Sequence, residues 1–226
     1  MVMPRFSEAD HALVTEAVAR AERASDGEIV TIVAPRSDAY HDVGLHYAVL
    51  AMLLVPTVPA VLPKGWIDWA LGLILGWNAS LGLRLSMLLL IVAMAAVFLI
   101  VRFAFASMAL RMALTPASTK TRRVRRRAVE LFRAGTEKRT KGRTGILLYL
   151  SLLEHRAEIV ADEAIHSRVE PDEWGEAMGA LVDGVKAGRP GEGMALAVDR
   201  IGEVLARCLP ATLDNPNELP DRLIEL

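Results

Sequence analysis

Between Leu85 and Val101 the chain carries no charge and a single weakly polar residue, Ser86. A helix that is apolar on every side has to be covered all round. The polar stretches on either side are too small to bury it, so a bilayer is the expected solvent. The whole region from Leu45 to Leu114 is apolar in character. Its second lobe, Leu85 to Ala106, easily meets the ~20 residues needed to span a hydrocarbon core. Arg102, near its end, can snorkel to the interface. The first lobe, Tyr47 to Leu62, contains Pro56 and Pro59 and reaches spanning length only if His46 and its neighbours extend it.

Between the lobes lie Lys64-Gly-Trp-Ile-Asp-Trp and an apolar run to Trp77. Trp66, Trp69 and Trp77 suit a membrane–water interface, where an amphipathic ring is favoured. This segment is read as lying on the membrane or re-entering it, and a third span is the alternative. Two spans return the chain to the side it left. The parts before residue 46 and after residue 106 then share a compartment.

Charge decides which compartment. Twelve basic residues lie between Arg111 and Arg143, against only Glu130 and Glu137. The run Arg122, Arg123, Arg125, Arg126 and Arg127 follows the second lobe closely, where the positive-inside bias counts most. The inter-lobe loop has only Lys64 and Arg84. Both termini are therefore expected in the cytoplasm of a bacterial-type inner (plasma) membrane. The arginine run is expected to meet anionic lipid headgroups rather than nucleic acid, because it comes directly after a span.

The flanks read as soluble α/β protein. Ser7 with Asp10 forms a capping-box pattern before a helix to Ala24. Glu28–Ala34 and Thr144–Leu152 are β-branched or aliphatic runs typical of strands buried on both faces. Ala157–Ala161 follows a tight turn at Glu154-His-Arg and is expected to pair with the second strand. Neither flank alone has enough helices to cover such strands, so the first two are expected parallel and adjacent in one sheet. Residues 1–45 and 144–210 would form the split domain, 46–106 the membrane hairpin, 107–143 a basic juxtamembrane helix and turn, and 211–226 a polar tail.

The carrying segments are Ser25-Asp-Gly-Glu-Ile-Val-Thr-Ile-Val, Thr144-Gly-Ile-Leu-Leu-Tyr-Leu-Ser-Leu and Glu154-His-Arg-Ala-Glu-Ile-Val-Ala-Asp. With Trp174 and Gly191-Glu-Gly-Met-Ala-Leu-Ala-Val, they resemble the TPM domain family over about two-thirds of the chain. The resemblance implies an α/β sandwich, a small sheet flanked by helices, here interrupted by the transmembrane helical hairpin. Some members are described as phosphatases or metal-binding proteins, others as accessory factors of membrane complexes. Secreted members carry a signal peptide, and none is expected here, because no charged segment leads into an apolar one at the N-terminus.

Candidate chemistry is sparse. Asp162, Glu163 and His166 follow the third strand, and as oxygen and imidazole donors they could hold Ca²⁺ or Mg²⁺. The same residues are accounted for if Asp162 caps a short helix and the others face water. His41 and His46 are five apart and do not share a helix face. Cys208 stands alone, which rules out an internal disulfide. No GxSxG, Walker loop or HExxH occurs. The expected role is an accessory or binding module supporting a membrane protein partner, with a metal-dependent phosphatase using Asp162 as the alternative.

Overall fold

The computed structural model describes residues 6–76, 82–135, 144–212 and 218–226. In chain order the elements are α1 (Glu8–Ala24), β1 (Glu28–Ala34), α2 (His41–Leu54), α3 (Thr57–Val61), α4 (Lys64–Leu75), α5 (Leu83–Ala104), α6 (Met108–Leu114) and α7 (Ala117–Gly135). There follow β2 (Gly145–Ser151), β3 (Arg156–Ala161), α8 (Glu163–His166), a 3₁₀ turn at Pro171–Trp174, α9 (Gly175–Lys186), α10 (Pro190–Cys208) and β4 (Ile224–Glu225). The chain divides into two compact units, residues 1–38 with 116–226 and residues 39–115.

The first unit is α/β. Its sheet has the order β3-β2-β1-β4. β1 and β2 run parallel in full register, from Glu28 opposite Gly145 to Ala34 opposite Ser151. β3 pairs antiparallel with β2, from Ile146 opposite Ala161 to Ser151 opposite Arg156. Every residue of β1 and of β2 is buried. That pattern requires cover on both faces. Ile29, Val33, Ile146, Leu148 and Leu150 turn to one core, shared with Val14 and Val18 of α1 and Met194, Ile201 and Leu205 of α10. Val30, Ile32, Leu147 and Tyr149 turn to the other, closed by Val124, Ala128 and Phe132 of α7.

Two boundaries differ from the sequence expectation. The units separate at 38/39 and 115/116 rather than 45/46 and 106/107. The basic helix α7 is also part of the α/β unit, because its narrow apolar face completes the second core. The segment 211–226, expected as a polar tail, contributes β4, parallel to β1, and the buried Leu219 and Leu223. A two-residue strand among prolines has no periodicity to read.

Ser7 caps α1 as expected, with the reciprocal Asp10 bond present. Thr31, between Ile29 and Val33 on β1, is wholly buried, and its hydroxyl has no hydrogen-bond partner among the described residues. Removing an orphaned buried hydroxyl at constant shape relieves its desolvation cost. Thr31→Val should therefore raise stability by about 1 kcal/mol, measured by thermal melting.

Among its described residues the second unit has helices and no strand. Pro56 has no amide hydrogen to continue α2, which ends at Leu54, and α3 follows. Counted together, His41–Val61 spans 21 residues, and α5 spans 22; both are long and apolar enough to cross a membrane. No residue of α5 is buried. α2 packs on α5, and Tyr47 stacks on Phe105 with ring centroids 5.1 Å apart. Arg111, only 7% exposed, donates to the carbonyls of Ala39 and Ala106 and contacts His41 Nδ1 at 3.1 Å, so it ties the two ends of the unit together. The segment read as interfacial or re-entrant is a regular helix over Lys64–Leu75, with Trp66 and Trp69 exposed. Trp77 lies outside the described residues.

Candidate functional site

The arginine run is sorted by its helix. Arg123 and Arg126 both reach Asp38 at 3.1 Å, and Arg126 and Arg127 approach Glu130 at 3.7 and 3.5 Å. The Asp38–Arg123 pair is the better shielded, with side chains 23% and 14% exposed. Arg125 lies near Glu158, and its charge partly offsets the burial that pushes the Glu158 carboxyl up. Arg122 and Arg125 are exposed. Thus part of the run fastens Asp38, the last residue of the α/β unit before the helical insertion, to α7. The rest faces outward.

A second set of polar groups sits at the carboxyl ends of β1 and β2. Glu154 accepts from the Ser151 hydroxyl and, at 2.8 Å, from the Ser37 amide. The hydroxyls of Ser37 and Tyr149 lie 2.9 Å apart. Burial pushes the Tyr149 phenol up. Ser151, Glu154 and Tyr149 are buried, so the network holds the strand ends and the Ser37 backbone rather than presenting a reactive group. In the sequence Glu154 was only part of a turn. The turn is real, with His155 exposed at φ 48°, but its neighbour's carboxylate folds inward.

The Asp162, Glu163 and His166 set is not brought together. Asp162 is buried, and its carboxylate accepts from the Gly145 amide at 3.1 Å, while its own amide donates to the Gly145 carbonyl at 2.9 Å. It therefore secures the start of β2. Asp162 stands at the N-cap position of α8, as expected, but its side chain makes no capping bond there. Glu163 and His166 are exposed. Among the described residues no group of three or more histidines, cysteines or carboxylates is arranged to hold a metal ion. Cys208 packs half-buried against the first core.

A carboxyl cluster that the sequence reading did not single out lies between α1, β1 and the C-terminal segment. Glu22, Glu28 and Asp221, with Arg23 and Thr212, line a cavity of about 390 Å³. Glu22 Oε1 accepts from the Ile29 amide at 2.8 Å. Glu28 Oε2 accepts from the amides of Glu218 and Leu219 at 3.3 and 3.0 Å. Burial pushes the Glu22 carboxyl up to about 8, and Glu28 and Asp221 add to the shift, the latter also through a side-chain hydrogen bond. Burial raises Glu28 as well. One signal was available: Glu22 falls four residues after Val18, on the stripe that α1 buries.

The raised Glu22 carboxyl makes stability depend on pH. The folded chain holds this proton more tightly than the unfolded chain, whose carboxyl titrates near 4.5. The contribution is complete below that value and is lost as pH rises toward about 8. Such a shift sets an upper limit of about 5 kcal/mol; solvent in the cavity reduces the expected value to about 2 kcal/mol. Glu22→Gln should then melt about 4–8 °C above the wild type at pH 8.5 and level with it near pH 4. Equal melting temperatures at both values would contradict this.

The chain is thus an α/β domain interrupted by an apolar helical unit. No protein-family model matches it, and no curated protein matches it. Among solved structures it is similar to the NMR structure of the BA42 protein from the psychrophilic bacterium Bizionia argentinensis. The likeness has a TM-score of 0.55 at 15% identity and covers 98% of this chain and 95% of that one. At that identity the two share a fold, and nothing more is carried across.

Proposed function

We propose that this chain is a membrane-anchored, TPM-like accessory module whose α/β domain works at the cytoplasmic face of a bacterial-type inner membrane. The observation that carries the reading is the contrast between the units. The α/β unit buries its apolar side chains in two cores, whereas α5 leaves Leu88, Ile91, Val92, Ile100 and Phe103 more than half exposed over 22 residues. An apolar surface of that extent needs a partner, and a bilayer is the solvent that suits its length. The outward-facing Arg122 and Arg125 suit anionic headgroups beside it, and Trp66 and Trp69 suit the interface.

The accessory role rests on the polar groups being used to hold structure. Asp162, the residue a phosphatase would need, is engaged with Gly145, and Glu154 with Ser37 and Ser151. The deciding experiment is purification of the full chain from membranes in mild detergent. A stoichiometric membrane-protein partner that co-elutes and is lost on α7 charge reversal supports an accessory module. Metal-stimulated phosphomonoester hydrolysis that Asp162→Asn abolishes would overturn it in favour of the phosphatase.

A further inference from the structure

The β1 edge that faces away from β2 is covered in an unusual way. β4 supplies only two paired residues, Ile224 opposite Ile32 and Glu225 opposite Val33, and Leu226 donates to the Val33 carbonyl at 3.0 Å. Nearer the start of β1, carboxylates stand in for a strand: Glu22 accepts from the Ile29 amide, and Glu28 accepts from the amides of Glu218 and Leu219. Leu219 enters one core and Leu223 the other, so the terminal segment straddles the sheet edge. A short edge strand covering a long one is readily detached, and the uncovered edge is a template for strand addition.

We propose that residues 218–226 are a strap, held on the β1 edge by a hydrogen bond that the protonated carboxyl of Glu22 donates to Asp221, and that loss of the Glu22 proton frees the edge. The surroundings favour it. From α1 come Glu22 and Arg23, from β1 Glu28, and from the terminal segment Glu218 and Asp221. Asp26 is engaged by the amide and hydroxyl of Thr212, and Arg20 of α1 is paired with Asp199 of α10. Arg23 is thus the one cation on the described cavity wall, facing three carboxyls there. With the proton present, Glu22 can donate to Asp221 while its other oxygen accepts from Ile29. Without it, the same two groups are like charges at contact, in a site of low dielectric. The cavity gives solvent a route to take the proton. Because burial raises Glu22 to about 8, release falls in the mildly alkaline range. The Glu225–His11 hydrogen bond at the far end is exposed and adds little.

The test is amide hydrogen exchange on the full chain in detergent, corrected for intrinsic exchange, across pH 6.5 to 9. Protection at Leu219 and Leu226 should fall at least about tenfold with a midpoint near 8, while Ile146 and Leu148 in the sheet centre keep theirs. In Glu22→Gln the fall should shrink to within about twofold, because a neutral amide keeps the bond to Asp221 at every pH. Asp221→Asn should flatten the profile likewise and serves if the first variant folds poorly. Protection that is flat in the wild type, or that falls equally in both variants, would overturn the proposal. So would release on acidification.

Discussion

A chain in which residues 39–115 are replaced by a short flexible linker is expected to fold as a soluble α/β domain, whereas a chain lacking residues 1–38 is expected to aggregate. The first half follows from the position of β1. It is an interior strand, with β2 on one side and β4 on the other, and all seven of its residues are buried. Among the described residues, those that form its two cores belong to residues 1–38 and 116–226, and none comes from the insertion. The Asp38–Arg123 and Asp38–Arg126 pairs hold the exit beside α7. Arg123 is six residues into a helix that starts at Ala117, or roughly 10 Å along its axis. A Gly/Ser linker of about six to eight residues can cover that span, and loop closure of this order costs little. Removing residues 1–38 instead strips α1 and opens the inner edge of β2, a buried aliphatic strand. The check is size-exclusion chromatography and cooperative melting of both chains. If the truncated chain melts cooperatively and the joined chain is no more stable, β1 does not belong to the domain.

The second large effect concerns the crossing of α9 and α10. A Cβ placed on Gly184 would lie 2.3 Å from the Gly193 Cα, and one placed on Gly193 would lie 2.8 Å from the Gly184 Cα. Backbone meets backbone here, and no side chain can rotate away. Gly184→Val should force the helices apart and cost about 3 kcal/mol or more, after any gain in helix propensity. Gly179, in the same helix, has nothing within 4 Å of an added Cβ. Gly179→Ala should therefore be neutral or gain up to about 1 kcal/mol. Thermal melting of the pair separates a packing constraint from a general effect of glycine in α9. Equal shifts would mean that the helices do not approach so closely.

These sites show what a sequence can and cannot reveal. The three long strands were legible because continuous apolar runs of five to nine residues between turn residues have few other solutions. The parallel pairing of β1 with β2 followed from the cover that both strands need. The Ser7–Asp10 cap was legible because its spacing is local. Contacts that depend on distant segments were not. Glu154 reads as a turn residue until Ser37 is brought beside it. Asp162 reads as a cap until the hairpin places it against Gly145. Leu219 and Leu223 lie in an irregular stretch with no periodicity, so their burial could not be read. The arginine run was visible as charge. Its division into residues that fasten Asp38 and residues that face outward depends on the position of α7.

The central claim is that the two sequence-distant flanks form one domain on one side of a membrane that α2–α3 and α5 cross. Paired reporter fusions at the two ends of the full-length chain test it most directly. Both fusions should be active with a reporter that works only in the cytoplasm and silent with one that works only outside it. Replacing Arg122, Arg123, Arg125, Arg126 and Arg127 with glutamine should weaken that orientation. Opposite results at the two ends would place β1 and β2 on different sides of the bilayer and contradict the claim.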